Sequence, residues 1–206
     1  MNLIFLIPIC AVAYMIGNIN LAILSTRRKS DIRKLASGNP GASNMLRSFG
    51  FKRAIIVFLF DVAKGVLPVL IVYLIWGDRL VMHATALAVV LGHCFPVLFH
   101  FKGGKGVATM VGAFLVISPV FAVIGFVAGL LYAFVFDYAA VSSLLFINIV
   151  VFRQLFQETA LAIHLILVGF YILVLYTHRT NIIRLLTGQE NKAKILGRKK
   201  GVKGGK

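Results

Sequence analysis

Long apolar stretches, separated by short polar or basic segments, recur along the chain at residues 3–24, 54–76, 80–99, 107–136, 138–152 and 159–176. Most approach the ~20 apolar residues that a helix needs to cross a hydrocarbon core of about 30 Å, which predicts a bundle of membrane helices. The first stretch has no basic segment before it and is too long for a signal-peptide core, so it reads as a retained transmembrane helix. The run at 107–136 carries no charge, and Ser118-Pro119 interrupts it near its middle. A proline inside an apolar helix ends or kinks it.

Charge orients the stretches. Arg27, Arg28, Lys29, Arg33, Lys34, Arg47, Lys52 and Arg53 form one basic block. Lys102 and Lys105 form a second, and Arg179, Arg184, Lys192, Lys194 and the tail cations a third. The positive-inside rule places all of them on the cytoplasmic side, with the N-terminus outside and the C-terminus inside. The Gly77-Asp78-Arg79 turn is then external, and Arg153 and Glu158 fall in the last outer loop. If the 107–136 run ends at Ser118, two short helices form a hairpin, Asp137 turns back inside and the crossings number seven. If the run only bends, they number six, with the basic tail outside against the charge rule, or five if one of the last two stretches fails to span. The charge rule favours seven.

Composition agrees: 60% of the 206 residues are hydrophobic, against about 45–50% in soluble domains. A net charge of +16 in a membrane protein points to anionic headgroups or anionic substrates, and not to nucleic acid, for which there is no soluble domain. Cys10 and Cys94 lie in separate apolar stretches and read as small buried hydrophobes. Residues 1–190 form the membrane domain. Residues 191–206 form a basic, Gly/Lys-rich tail that is expected to be disordered and attracted to anionic lipid.

Chemistry gathers in three polar clusters on the predicted cytoplasmic side. Ser37-Gly38-Asn39-Pro40-Gly41-Ala42-Ser43-Asn44 is a tight loop whose N–H groups can converge on an anion, and Arg47 adds a forked phosphate donor. Standing alone, it would pass for an ordinary interhelical loop. The second cluster, residues 92–109, opens with Gly92-His93 and contains Lys102-Gly103-Gly104-Lys105-Gly106. It lacks the Ser or Thr and the spacing of a Walker A loop, which leaves a glycine-rich turn with lysines beside a helix N-terminus, a setting that favours anions. A lone His93 on an apolar helix is ordinarily structural. In the third cluster, His178, Asn181, Arg184 and Leu185 share a face if the last helix continues past the membrane. A histidine, an amide and a guanidinium there can hold a phosphorylated substrate and assist a proton transfer. Asp61 and Lys64, charges inside an apolar helix, are expected to pair with each other or face a polar interior in support of the site.

Taken together, the clusters resemble the bacterial acyl-phosphate:glycerol-3-phosphate acyltransferase family of PlsY type. That family carries a Ser-Gly-Asn-x-Gly-Ala-Thr-Asn loop and a Gly-His-x-x-Pro-x-x-x-x-Phe-Lys-Gly-Gly-Lys-Gly-Val-Ala-Thr segment. It closes with a His-Arg-x-Asn-Ile-x-Arg-Leu-x-x-Gly-x-Glu stretch. Here they read at residues 37–44, 92–109 and 178–190, in the same order, and the Asp61-x-x-Lys64-Gly65 step fits as well. Ser43 stands for the usual Thr and Ala36 for a Gly, and Gly17-Asn18-Ile19-Asn20 stands where Gly-Ser-Ile-Pro is usual.

The resemblance implies an all-α, seven-helix enzyme of the bacterial inner membrane with its active site on the cytoplasmic side. It implies acyl transfer from acyl phosphate to the 1-position of glycerol 3-phosphate, giving lysophosphatidic acid and inorganic phosphate. No cofactor, metal or acyl-CoA is implied. The expected partners are the two substrates and membrane lipid, and the expected state is monomeric. His178, Ser37, Lys105 and Asn181 are the catalytic candidates. His178, with His93 second, would orient or deprotonate the glycerol hydroxyl, a proton that a substrate phosphate oxygen can equally take. Substrate contacts are expected from Ser37, Gly38, Asn39, Gly41, Asn44 and Arg47; from His93, Lys102, Gly103, Gly104, Lys105, Gly106 and Thr109; and from Arg179, Asn181, Arg184 and Glu190.

Other classes fit less well. No histidine has an Asp five residues on, the spacing of acyl-CoA-dependent acyltransferases. A small anion transporter would need polar access from both faces, whereas the chemistry here gathers on one. A lipid-bound scaffold accounts for the charge but not for the glycine loops, and a diverged inactive paralogue remains an alternative that the departures from the motif raise.

Overall fold

The computed structural model describes residues 3–27 and 30–192. Its helices are α1 (Leu6–Asn18), α2 (Leu21–Thr26), α3 (Ala42–Phe49), α4 (Phe51–Ile75), α5 (Arg79–Cys94), α6 (Val107–Ile117), α7 (Pro119–Phe136), α8 (Ala139–Gln157) and α9 (Leu161–Leu186), and no strand occurs among the described residues. Among the described residues, six stretches are long and apolar enough to span a membrane: Leu6–Thr26, Phe51–Ile75, Arg79–Phe99, Pro119–Phe136, Ala139–Gln157 and Leu161–Leu186. Large side chains such as Ile7, Leu74, Leu131 and Leu161 point outward, as they do in a protein whose solvent is lipid.

The expected break at Ser118-Pro119 is present. α6 ends at Ile117 and α7 begins at Pro119, whose missing N–H costs nothing at a first helical position. With 11 residues, α6 is about 16 Å long, too short to cross a bilayer by itself. The boundaries depart from the apolar runs in four places. The first stretch is not one helix: it breaks at Ile19, and Asn20 caps α2 by accepting the N–H of Ile23 at 3.0 Å. The third stops at Cys94, before Pro96, because a residue preceding proline is pushed out of the helical region. α8 runs past its apolar stretch to Gln157, so Arg153 lies within a helix, where its guanidinium covers the Phe121 ring, and Glu158 caps α8 and pairs with Arg79. Neither residue is a free loop charge. α9 continues through His178 and Asn181 to Leu186. From residue 193 onward the basic tail lies outside the described residues.

Small residues set the closest helix contacts. A Cβ on Gly65 of α4 would lie 2.0 Å from the Thr109 carbonyl oxygen of α6, and one on Gly112 would lie 2.0 Å from that of Val62. α1 and α5 meet in the same way at Gly17 and Gly92. Backbone-to-backbone approach of this kind maximises packing where lipid gives no hydrophobic drive between helices. α7 and α8 form a hairpin, with the Ser142 hydroxyl donating to the Gly129 carbonyl at 2.6 Å. The interior is apolar and includes an edge-on Phe114–Phe170 pair.

Candidate active site

The first wall of the site is built by one amide. Asn44, fully buried in the first turn of α3, donates to the carbonyls of Ile32 (3.1 Å) and Leu35 (3.0 Å) and accepts the N–H of Ser37 at 3.1 Å. This folds residues 32–44 into a compact loop with Ser37, Asn39 and Gly41 facing inward. Asn20 donates to the Pro40 carbonyl at 3.2 Å, so the departure from the usual proline at that position ties the loop to the break in the first membrane segment. Asn18 accepts the Leu98 N–H at 3.3 Å in the same region.

The second wall folds back on the end of α5. The N–H groups of Gly103 and Gly104 donate to the carbonyls of Cys94 (3.2 Å) and His93 (3.1 Å). A Cβ on Gly104 would lie 2.1 Å from His93 Nε2, so only glycine fits over that ring. Gly106 adopts a left-handed conformation with φ +83, from which α6 starts at Val107. The N–H groups of Ser37, Gly38 and Gly41 are likewise engaged inside their own loop. Anion binding therefore falls to side chains and to the N-terminal turns of α3 and α6.

The third wall is the last turns of α9. His178 is buried, and its Nδ1 lies 3.0 Å from the Val174 carbonyl. A carbonyl can only accept, so Nδ1 carries the hydrogen and a neutral ring presents its lone pair at Nε2. The Asn181 carbonyl oxygen accepts from Lys105 Nζ, and its amide nitrogen donates to Glu190 at 2.7 Å. The turn at Gly188 returns Glu190 to the site, and Arg47 fastens the returning segment by donating to the carbonyls of Lys192 (3.0 Å) and Asn191 (3.3 Å).

These walls enclose a cavity of about 250 Å³. Ser37, Arg47, Lys105, His178, Asn181 and Glu190 line its polar end, and Phe58, Val111, Phe126, Leu130, Ala133 and Phe146 its apolar flank. Burial holds the Lys105 ammonium down to about 8; the Glu190 carboxylate opposes this, and the charges of Arg47 and Arg184 add to it. Such a lysine gains by acquiring an anion.

Of the residues expected in the site, Ser37, Asn39, Gly41, Asn44, Arg47, His93, Lys105, Gly106, His178, Asn181 and Glu190 line this cavity. Gly38, Lys102, Gly103, Gly104, Thr109, Arg179 and Arg184 do not. Lys102 is exposed, Thr109 is buried inside the bundle, and the Arg179 guanidinium lies 4.2 Å from the Tyr176 ring centre. Arg184 reaches the site through its charge on Lys105. Asp61, expected only as support, lines the cavity. The apolar flank was not anticipated. Its signal was present in α7, where Phe126, Gly129, Leu130 and Ala133 recur at helical spacing with two small residues among them.

Known proteins match this arrangement over most of its length. The profile of the glycerol-3-phosphate acyltransferase family matches residues 7–188. A Legionella pneumophila (strain Lens) protein named glycerol-3-phosphate acyltransferase is 42% identical over 193 residues, 93% of this chain and 70% of that one. A Francisella tularensis subsp. novicida (strain U112) protein of the same name is 38% identical over 183 residues, covering 87% and 89%. The crystal structure of PlsY (YgiH), an integral membrane glycerol 3-phosphate acyltransferase, in its glycerol 3-phosphate form superposes with a TM-score of 0.85 at 34% identity, covering 91% of this chain and 94% of that one. Its lysophosphatidic acid form gives 0.82.

Proposed function

The chain belongs to the glycerol-3-phosphate acyltransferase family, and from that membership and the shape of its cavity we infer that it acylates the 1-hydroxyl of glycerol 3-phosphate with a fatty acyl group from acyl phosphate. The products are lysophosphatidic acid and inorganic phosphate. The observation that carries the reading is one cavity with a cationic, amide-rich end and an apolar flank. Both substrates bring a phosphate, and one of them brings an acyl chain.

In this reading Lys105, Arg47, Ser37 and Asn181 hold the phosphates, with Arg184 adding field from behind, and the acyl chain lies along Phe58, Phe126 and Phe146. The glycerol oxygen attacks the acyl carbonyl carbon, and the bond from that carbon to the phosphate oxygen breaks. The hydroxyl proton passes to His178 Nε2 or to a phosphate oxygen. The mixed anhydride is already activated, so positioning and charge stabilisation carry most of the catalysis.

The membrane arrangement in this reading has seven crossings, an external N-terminus and a cytoplasmic site, in the inner membrane. In support, α6 starts beside Lys105 at the site and ends where Ile117 accepts a bond from Arg79, at the opposite end of α5. Short as it is, α6 links the site end of α5 to its Arg79 end. Residues 1–190 act as the membrane enzyme, as a monomer, and residues 191–206 as a basic tail.

The test is purified protein in detergent or lipid, given acyl phosphate and glycerol 3-phosphate, with acyl-CoA as the control donor. Lysophosphatidic acid is expected from acyl phosphate alone. Absence of product from acyl phosphate overturns the reading.

A further inference from the structure

Asp61 and Lys64, one turn apart on α4, are both buried, and Lys64 Nζ lies 2.8 Å from Asp61 Oδ1. A buried ion pair contributes little net stability compared with apolar residues of the same volume. Its presence calls for another account, and its partners supply one. Lys64 Nζ also donates to the Ile19 carbonyl at 2.8 Å. That carbonyl lies at the break between α1 and α2, where helical bonding is interrupted. On the other side of the pair, His93 Nδ1 lies 3.5 Å from Asp61 Oδ1. The far edge of the same ring, Nε2, sits directly beneath Gly104, and the His93 carbonyl takes the Gly104 N–H. Lys105 follows.

We propose that Lys64, Asp61 and His93 are positioning residues: they link the break in the first membrane segment to the glycine loop and so fix where Lys105 presents its charge. The same break holds the opposite wall, because Asn20 donates to Pro40 in the Ser37 loop. One irregular point in the first segment thereby sets the separation of the two anion-binding loops. Lys64 locates the Asp61 carboxylate, the carboxylate turns the His93 ring, and the ring supports the loop from below. A neutral amide at Asp61 would keep the volume but present a mixed donor and acceptor to the ring, which could then rotate.

This rests on the reaction proposed above, so turnover is read together with direct binding of glycerol 3-phosphate by calorimetry. The variants are the neutral pair Asp61→Asn/Lys64→Met, His93→Asn, and the two combined. The neutral pair leaves no unpaired buried charge and is expected to unfold thermally where wild type does. KM and Kd for glycerol 3-phosphate are expected to rise about tenfold, with kcat changed less than about threefold, the pattern of a misplaced binding group. His93→Asn keeps a polar side chain on the Asp61 side but removes the ring edge under Gly104, so it should give the same rise. The combined variant should be no worse than either parent, because residues in one relay are not additive.

A folded neutral pair with wild-type KM and Kd overturns the proposal, as does additivity of the two changes. If the neutral pair does not fold, His93→Asn decides the matter with the ion pair intact, and wild-type affinity in that variant overturns the proposal. Wild type that binds glycerol 3-phosphate but forms no lysophosphatidic acid would sink the reaction instead, with the affinities still deciding the relay.

Discussion

Arg79 and Lys105 are cations at opposite ends of the same bundle. Arg79 is the first residue of α5; His93, under the Lys105 loop, is about 21 Å further along that helix at 1.5 Å per residue. Each nitrogen of the Arg79 fork is engaged: Nε donates to Glu158 at 3.0 Å, one terminal nitrogen to the Ile117 carbonyl at 3.1 Å, and the other to Gln154 at 3.2 Å and to Glu158. It draws the ends of α6 and α8 onto the start of α5. Lys105 is instead joined to a neutral amide, beside a cavity, within the field of the Glu190 carboxylate and of two further cations. Both clusters would look alike in a scan for charges in apolar surroundings. The difference lies in saturation: a guanidinium with every nitrogen bonded holds helices together, whereas a buried ammonium facing an open volume is kept for an incoming anion.

The contrast is tested most severely at the open end. Lys105→Met removes the cation while keeping the length of the side chain, and is expected to lower kcat/KM about 10²- to 10³-fold, the range for losing one charge-stabilising donor. The protein should remain folded, because the lysine is not saturated by native partners. His178→Ala is expected to cost about 10²-fold, within the range for a lost general base or its orienting contact. Turnover of His178→Ala close to wild type would remove His178 from the chemistry and leave the substrate phosphate as the base.

Much of this was legible in the sequence, for reasons that also explain the rest. The glycine loop, the Ser37 loop and the His178 helix each carry residue types whose chemistry is local, and the charge rule puts them on one side. The face shared by His178, Asn181, Arg184 and Leu185 was conditional on the last helix continuing past the membrane, and α9 does continue, to Leu186. Three things were hidden. The cap at Asn20 breaks a run whose mean hydropathy still reads as one membrane span. The bond from Arg79 to Glu158 spans 79 positions, and no local pattern links the two. The apolar flank of the cavity draws on α4, α6, α7 and α8; in α7, apolar on all sides, hydropathy alone does not separate a face turned to lipid from one turned to substrate, and only the small residues Gly129 and Ala133 mark it.

The titration of Lys105 sharpens the contrast at smaller cost. With its ammonium held down to about 8 by burial, the charged form is present below that pH and is lost as pH rises through it. Phosphate monoesters gain their second charge above a pKa of about 6. kcat/KM for glycerol 3-phosphate is therefore expected to rise through about 6, peak between the two values, and fall about tenfold per unit on the alkaline side. Lys105→Arg keeps its charge at every accessible pH, so whatever activity that variant retains should lack the alkaline limb. An alkaline limb unchanged in Lys105→Arg would assign it to another group.

The smallest effect on activity is expected at the saturated end. Glu158→Gln keeps a carbonyl oxygen for the Arg79 fork but removes its charge, while the bonds to Gln154 and Ile117 stay. The Arg79 side chain is 37% exposed and Glu158 10%, so water compensates part of the loss. A stability change of about 1 kcal/mol is expected, nearer the value for a surface pair than for a buried one. Thermal unfolding in detergent should shift down slightly, with turnover at moderate temperature within about twofold of wild type, because no group at the open end moves. Collapse of turnover with an unchanged unfolding temperature would mean that the two ends are coupled through α5 and α6, and that saturation is no guide to which cation serves the reaction.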